Sequence, residues 1–327
     1  TGIDVSMLKG KRLRDRVGEE EGVMLASCAG GCRADVKLPV ERETVSGTKL
    51  TVSLSGLTGG HSGSEIDKGR GNANTLMSRL LRDASAPVAI ASIDGGRKDN
   101  AIPRECTAQI IVAPDEAEAV KASIEQAAAE IAEEFKASDP DLKLTVSEET
   151  DCSESAISAK DSARVIALIE ALPNGIIRMS REIDKLVETS LNLGVLKSDD
   201  AAVTLRYAVR SSVGVAKKSL KNQLVCIAGA FAAEVTFEGD YPAWEYKKDS
   251  KLREDMVRIF EEMYGKKPTV EAIHAGVECG LLSGKIEGLD CISMGPDMYD
   301  IHTTEERLSI SSAKRSYEYI LRVIACK

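Results

Sequence analysis

The chain has 327 residues, with 43 Lys and Arg against 52 Asp and Glu, a formal net charge of −9 at pH 7 and 43% hydrophobic residues. That apolar fraction can fill a packed core, and the length suits about two domains. The acidic balance, with no basic cluster interleaved with aromatics, excludes a general nucleic-acid or anionic-membrane binder, and no apolar run reaches the roughly 18–20 residues of a membrane span.

Taken in chain order, residues 1–22 are polar and charged and predict a solvated loop, followed by a short strand around Val23–Ala26 that stops at Gly30-Gly31. From Lys49, Leu50, Val52 and Leu54 alternate with Thr51, Ser53 and Ser55, the pattern of a half-buried strand. Residues 56–71 form a glycine-rich loop, Asn72–Arg82 predicts a helix and Thr107–Val112 a strand. Val120, Ile124, Ala127, Ile131 and Phe135 share one face of a helix over 115–137, which Asp139-Pro140 ends. The Ser/Glu/Asp-rich residues 147–160 read as a surface connection, and Ser162–Leu172 as a helix before the Pro173-Asn174-Gly175 turn.

A second unit of the same kind follows. Strands at Val187–Leu193 and Val203–Arg210 alternate with period two, a helix spans 215–232 and a strand Glu234–Glu238. Two tandem strand–strand–helix units predict a duplicated layer of sheet with helices on one face. Pro242 and the single Trp, Trp244, mark a boundary. Beyond it come a helix carrying Leu252, Met256, Ile259 and Met263, a strand at Asp290–Met294, and a terminal helix packing through Tyr317, Ile320, Leu321 and Ile324.

The chemistry-bearing residues are few. His61, His274 and His302 are the only histidines, which excludes a His-rich cage, and none of the eight cysteines forms a C-x-x-C pair. Scattered single thiols fit the reducing environment of the cytoplasm. Gly69-Arg70-Gly71-Asn72-Ala73-Asn74 has Asn where a dinucleotide fingerprint needs its third glycine, and no Walker-type motif is present. His61 lies among Gly59, Gly60 and Gly63, where an uncovered imidazole can donate to an oxyanion; a histidine in an ordinary turn has the same signature. His302 follows a strand end and precedes Glu305 and Glu306, neighbours that suit zinc or a plain surface. Arg210, on the polar side of its strand, can grip a carboxylate or form a surface ion pair, and Asn100 and Arg104 carry the same two readings.

Several segments together resemble one family. They are Leu8-Lys9-Gly10-Lys11-Arg12-Leu13, Glu19-Glu20-Glu21-Gly22, Cys28-Ala29-Gly30-Gly31, Leu57-Thr58-Gly59-Gly60-His61-Ser62-Gly63, Gly69-Arg70-Gly71-Asn72-Ala73-Asn74, Asn100-Ala101-Ile102-Pro103-Arg104-Glu105, Val187-Glu188-Thr189-Ser190-Leu191-Asn192 and Ile273-His274-Ala275-Gly276-Val277-Glu278-Cys279-Gly280. In this order they are similar to the aminoacyl-histidine (Xaa-His) dipeptidases, carnosinase-like co-catalytic zinc metallopeptidases. The resemblance implies a mixed α/β (α+β) fold in which a duplicated sheet-and-helix lid, residues 41–238, is inserted into a partial catalytic domain, residues 1–40 and 239–327. It implies a cytoplasmic enzyme binding two zinc ions, hydrolysing Xaa-His and related dipeptides and dimerising through the lid. Residue by residue, it makes His61 the oxyanion stabiliser, His302 a zinc ligand, and Arg210 and Asn100 substrate-binding residues.

The chain also departs from the pattern. It opens on Thr1, as expected of a processed chain or a piece of a longer one, and the family's His-x-Asp motif, bridging aspartate and paired glutamates have no counterpart. Val17 and Gly18 stand where the family has an aspartate zinc ligand and a serine. A two-zinc site needs about five ligands and a base. The expectation is therefore a truncated or degenerate dipeptidase inactive alone, with a non-catalytic binding or dimerisation module as the alternative.

Overall fold

Period-two alternation becomes sheet along most of the chain. In the computed structural model, which describes residues 4–15, 18–301 and 303–326, β1 (Arg12–Asp15), β2 (Val23–Cys28), β3 (Gly30–Pro39) and β4 (Arg42–Ser55) precede the glycine-rich loop. Leu50, Val52 and Leu54 of β4 are buried while Thr51, Ser53 and Ser55 are half-buried, as the alternation requires. The loop holds β5 (Gly60–His61) and leads into α1 (Ala73–Arg82), whose N-terminus is capped by the Asn72 side chain. β6 (Ala89–Gly95), β7 (Ala101–Ile102), β8 (Cys106–Val112), α2 (Ala117–Phe135) and β9 (Lys143–Ile157) follow. Next come α3 (Ala159–Ala171), β10 (Gly175–Met179), β11 (Val187–Ser198), β12 (Ala202–Ser211), α4 (Gly214–Ala230) and β13 (Glu234–Tyr241). The chain ends with α5 (Lys251–Tyr264), β14 (Thr269–Ile273), α6 (Glu278–Ser283), β15 (Asp290–Ser293), the short antiparallel pair β16 (Met298–Tyr299) and β17 (Arg307–Leu308), and α7 (Ile310–Ala325).

A nine-stranded antiparallel sheet runs in the order β13-β3-β12-β11-β6-β8-β4-β9, with β10 paired to β11. Its two halves meet where Leu196 and Lys197 of β11 pair with Gly95 and Asp94 of β6. One hydrophobic core runs between the sheet and α1–α4, from Val36 and Leu38 through Leu191 and Leu205 to Ile110 and Ile124. The two predicted units are thus one continuous layer, and residues 30–39, ahead of the expected boundary at 41, pair within it. A second sheet, β1-β15-β2-β14, packs on α5 and α7 through Met24, Met256, Phe260, Ile292 and Tyr319. No described helix is long and apolar enough to cross a membrane.

Four expectations are corrected. Residues 12–15 are a strand paired in parallel with β15, not part of a loop. Residues 147–157 belong to β9, an edge strand along β4 whose exposed Glu148, Glu149 and Asp151 erase the alternation while discouraging further pairing. In α7, Tyr317, Leu321 and Ile324 are 49–57% exposed, and the inward face is Ser312, Ser316, Tyr319, Ile320 and Val323. Small serines let that face approach the core closely, and the Tyr319 hydroxyl donates to the Met256 carbonyl (2.7 Å). Met263 of α5, expected inward, is 37% exposed.

A residue in the turn after α2 also holds the glycine-rich loop. Buried Asp139 accepts from the Thr58 and Gly71 amides (2.8 Å each) and from the Ser138 hydroxyl (2.8 Å). Asp139→Ala leaves the two loop amides without their acceptor and is expected to lower the unfolding free energy by about 1–3 kcal/mol. Urea denaturation checks this; an unchanged midpoint would show that the loop holds itself.

Candidate functional site

The site is assembled from loops that the buried sheet stitches together. His61 pairs with Ala101 across β5 and β7, and the Ser62 amide donates to the Asn100 carbonyl (2.9 Å), so the His61 and Asn100 loops move as one. The Gly63 and Ser64 amides donate to His61 Nδ1 (3.3 and 3.1 Å). An Nδ1 that accepts places the proton of the neutral ring on Nε2. Glu65 fixes the loop from below, accepting from the His61 amide (2.8 Å) and from Arg70 (2.9 Å).

Behind Asn100 lies a buried amide chain. Asn192 Nδ2 donates to the carbonyls of Asp99 (3.1 Å) and Ala101 (2.9 Å), and its Oδ1 accepts from Asn72 Nδ2 (3.1 Å). Asn72 in turn caps α1 with its own Oδ1. Asn72 and Asn192, each in a segment that carries the family resemblance, therefore do structural work, aiming the loop on which Asn100 sits. Arg104 does likewise, donating Nε to the Leu57 carbonyl (2.9 Å).

Arg210 occupies a cross-strand row. On β11, β12, β3 and β13, the partners in register are Ser190, Arg210, Gly31 and Tyr241. At one end of the row the Ser190 hydroxyl meets His274 Nε2 at 2.7 Å. At the other, Arg210 Nη1 donates to the Tyr241 hydroxyl (3.3 Å). Arg210 is only 9% exposed, and among the described residues no carboxylate pairs with it. It borders a cavity of about 270 Å³ whose lining includes Asn100, Asp99, Tyr241 and the Arg33–Glu238 ion pair.

The two imidazoles share this environment. A Cβ on Gly63 would stand 2.7 Å from the His274 carbonyl oxygen, which shows how tightly the His61 loop seats on the 273–276 segment. Burial, and then the Arg210 charge, hold His61 below the ordinary histidine range. Burial takes His274 down to about 3, with Arg210 and His61 adding to it. Both rings are neutral at neutral pH.

The structure thus brings His61, Asn100 and Arg210 together, with His274, Ser190 and Tyr241 beside them. His302 and Val17 lie outside the described residues. Among the described residues no three His, Cys, Asp or Glu side chains gather as metal ligands. Sequence reasoning passed over Ser190, Asn192 and Tyr241. The first two stand on the polar side of an alternating strand and read as solvent-facing, yet each is 1% exposed.

Comparison with known proteins gives this arrangement its context. Residues 52–139 match the family model described as the M20 peptidase dimerisation domain. The chain is similar to the cytosol non-specific dipeptidase of Escherichia coli (strain K12), 33% identical over 315 residues that are 95% of this chain and 65% of the relative. The crystal structure of aminoacylhistidine dipeptidase from Vibrio alginolyticus superposes with a TM-score of 0.91 at 30% identity, over 99% of this chain and 67% of that one. The chain belongs to the M20 dipeptidase family. It spans about two thirds of the length of these relatives, and the M20 fold accounts for its mixed α/β layers.

Two titrations follow from the site. Arg210's cation disfavours a proton on His61, so Arg210→Met is expected to raise the His61 midpoint toward 6.5, read from its ring protons by NMR. Between about 3 and 6.5 the unfolded chain binds a proton at His274 that the folded chain does not. Stability should therefore fall as pH drops through that window, with a limiting slope of about 1.4 kcal/mol per pH unit from this group. The slope should be shallower in His274→Asn, whose amide can still reach Ser190; equal slopes would remove His274 as the cause.

Proposed function

We propose that this chain is the substrate-gripping part of an M20 dipeptidase, which takes dipeptides of the Xaa-His class by their C-terminal carboxylate. The observation that carries this reading is Arg210, a residue nine-tenths buried beside a cavity, with no carboxylate partner among the described residues. Burying a cation unpaired costs several kcal/mol, and an incoming anion relieves it. A terminal carboxylate matches the planar N–H fork of arginine. Both similar proteins carry dipeptidase names, which supports the substrate class.

In this reading Asn100, on the cavity wall, meets the polar groups of the peptide. His61 offers its Nε2 hydrogen to the oxygen that becomes negative when the scissile carbonyl is attacked, as a neutral donor that gives up no proton in doing so. His302 would be the family's zinc ligand. The described residues do not form a metal site by themselves. The acid next to His61, Glu65, is already engaged by Arg70 and the His61 amide, which leaves it poorly placed as a general base. We accordingly propose that the chain alone binds dipeptides without hydrolysing them, the function of a binding module.

We assign the lid to the nine-stranded unit and the catalytic layer to the four-stranded one. A homodimer formed through the lid is supported by the dimerisation-domain match over 52–139. A cytoplasmic location is supported by the name of the Escherichia coli relative and by the free, mostly buried thiols.

Calorimetry with an Xaa-His dipeptide and its C-terminal amide tests the reading. The acid should bind about 10- to 100-fold more tightly than the amide, the worth of a charge-assisted contact, and Arg210→Met should abolish the difference. Equal affinities would refute carboxylate capture. Dipeptide hydrolysis by the repurified chain with added zinc would refute the binding-only assignment.

A further inference from the structure

We propose that Tyr241 is the positioning residue for Arg210, orienting the guanidinium for a carboxylate through a phenol oxygen that reaches it over a gap left by Gly31. This rests on the reading of Arg210 as the carboxylate-binding group.

The cross-strand row supplies the geometry. Tyr241 and Arg210 are both paired to Gly31, one from each side, so a side chain at position 31 would stand between them. A Cβ there would lie 2.6 Å from the Tyr241 hydroxyl oxygen and 2.9 Å from Cζ. Without it, the phenol extends across β3 and accepts from Arg210 Nη1 at 3.3 Å. The ring is held from a second direction as well, since a Cβ on Gly276 would meet Tyr241 Cε2 at 2.8 Å. Its backbone is anchored by Lys217, whose Nζ donates to the Tyr241 carbonyl (2.5 Å) and to Asp240 (2.7 Å). The hydroxyl therefore has a fixed address against which the guanidinium is set.

The chemistry of the acceptor matters. A carboxylate in this place would orient Arg210 equally well but would neutralise it and compete with the ligand. A phenol accepts the hydrogen bond and adds no charge, and burial raises the Tyr241 pKa, keeping the phenol protonated. Arg210 Nε is buried without a partner. One Nη is thus satisfied by the protein, while the guanidinium keeps its full charge for the cavity that Tyr241 and Arg210 both line.

Tyr241→Phe keeps the wedged ring and deletes only the oxygen. The acid-to-amide affinity ratio for an Xaa-His dipeptide is expected to fall roughly 3- to 10-fold, the worth of one hydrogen bond, with amide affinity unchanged. The Arg210 Nε–H resonance, assigned by its loss in Arg210→Met, should shift in the free Tyr241→Phe protein. An unchanged ratio overturns the proposal, as does an equal loss of acid and amide binding, which would mark a merely structural role. Failure of the underlying reading is distinct, because the wild-type chain would then show no acid preference before any substitution is made.

Discussion

A buried cation that pairs with no carboxylate among the described residues organises this molecule. Arg210 sits in the middle of a sheet, on a strand flanked by β11 and β3, where desolvation penalises its charge. Around it stand a cavity lined also by Asp99 and the Arg33–Glu238 pair, two neutral imidazoles, a serine, a phenol and a backbone without a side chain. Burial first, and then the Arg210 charge, lowers the affinity of His61 and His274 for protons, so the enclosed space does not take up a second positive charge.

The scaffold is arranged so that this cation meets loops from distant parts of the chain. β11 is the central strand in that sense. Its Leu191, Leu193 and Leu196 enter the core under the helices, while Ser190 and Asn192 face the other way and are buried by the 273–280 segment and the Asp99–Ala101 loop. Both faces of one strand are used up, one by packing and one by hydrogen bonds, so the four-stranded layer and the nine-stranded sheet are joined at the site itself. A polar network buried this completely is costly if any member lacks a partner, which is why the amides of Asn72 and Asn192 are tied in series rather than left to water.

Much of the architecture was legible in the sequence. The alternation at 50–55 and 203–210 and the apolar stripe of α2 report burial on one side only, and the structure has strands and a helix there with those faces inward. The reading failed where composition and position diverge. β9 is an edge strand whose charges protect it from further pairing, so its pattern is that of a loop. In α7 the inward face is built from two serines, Tyr319, Ile320 and Val323, and counting large apolar residues selects the outward side.

The sequence by itself determined the family, through a series of short motifs spread over nearly the whole chain, together with the mixed fold class, and it marked His61, Asn100 and Arg210 as candidate site residues. These survive as local signals because each depends on residue type and near neighbours: glycines around a histidine, an arginine on an alternating strand. Only the tertiary structure decided that Ser190, Arg210, Gly31 and Tyr241 form one row across four strands. Register between strands separated by up to 210 positions is set by the global packing of the sheet, and no local pattern carries it. The burial of the Arg210 charge is a property of that row and not of any segment of the chain.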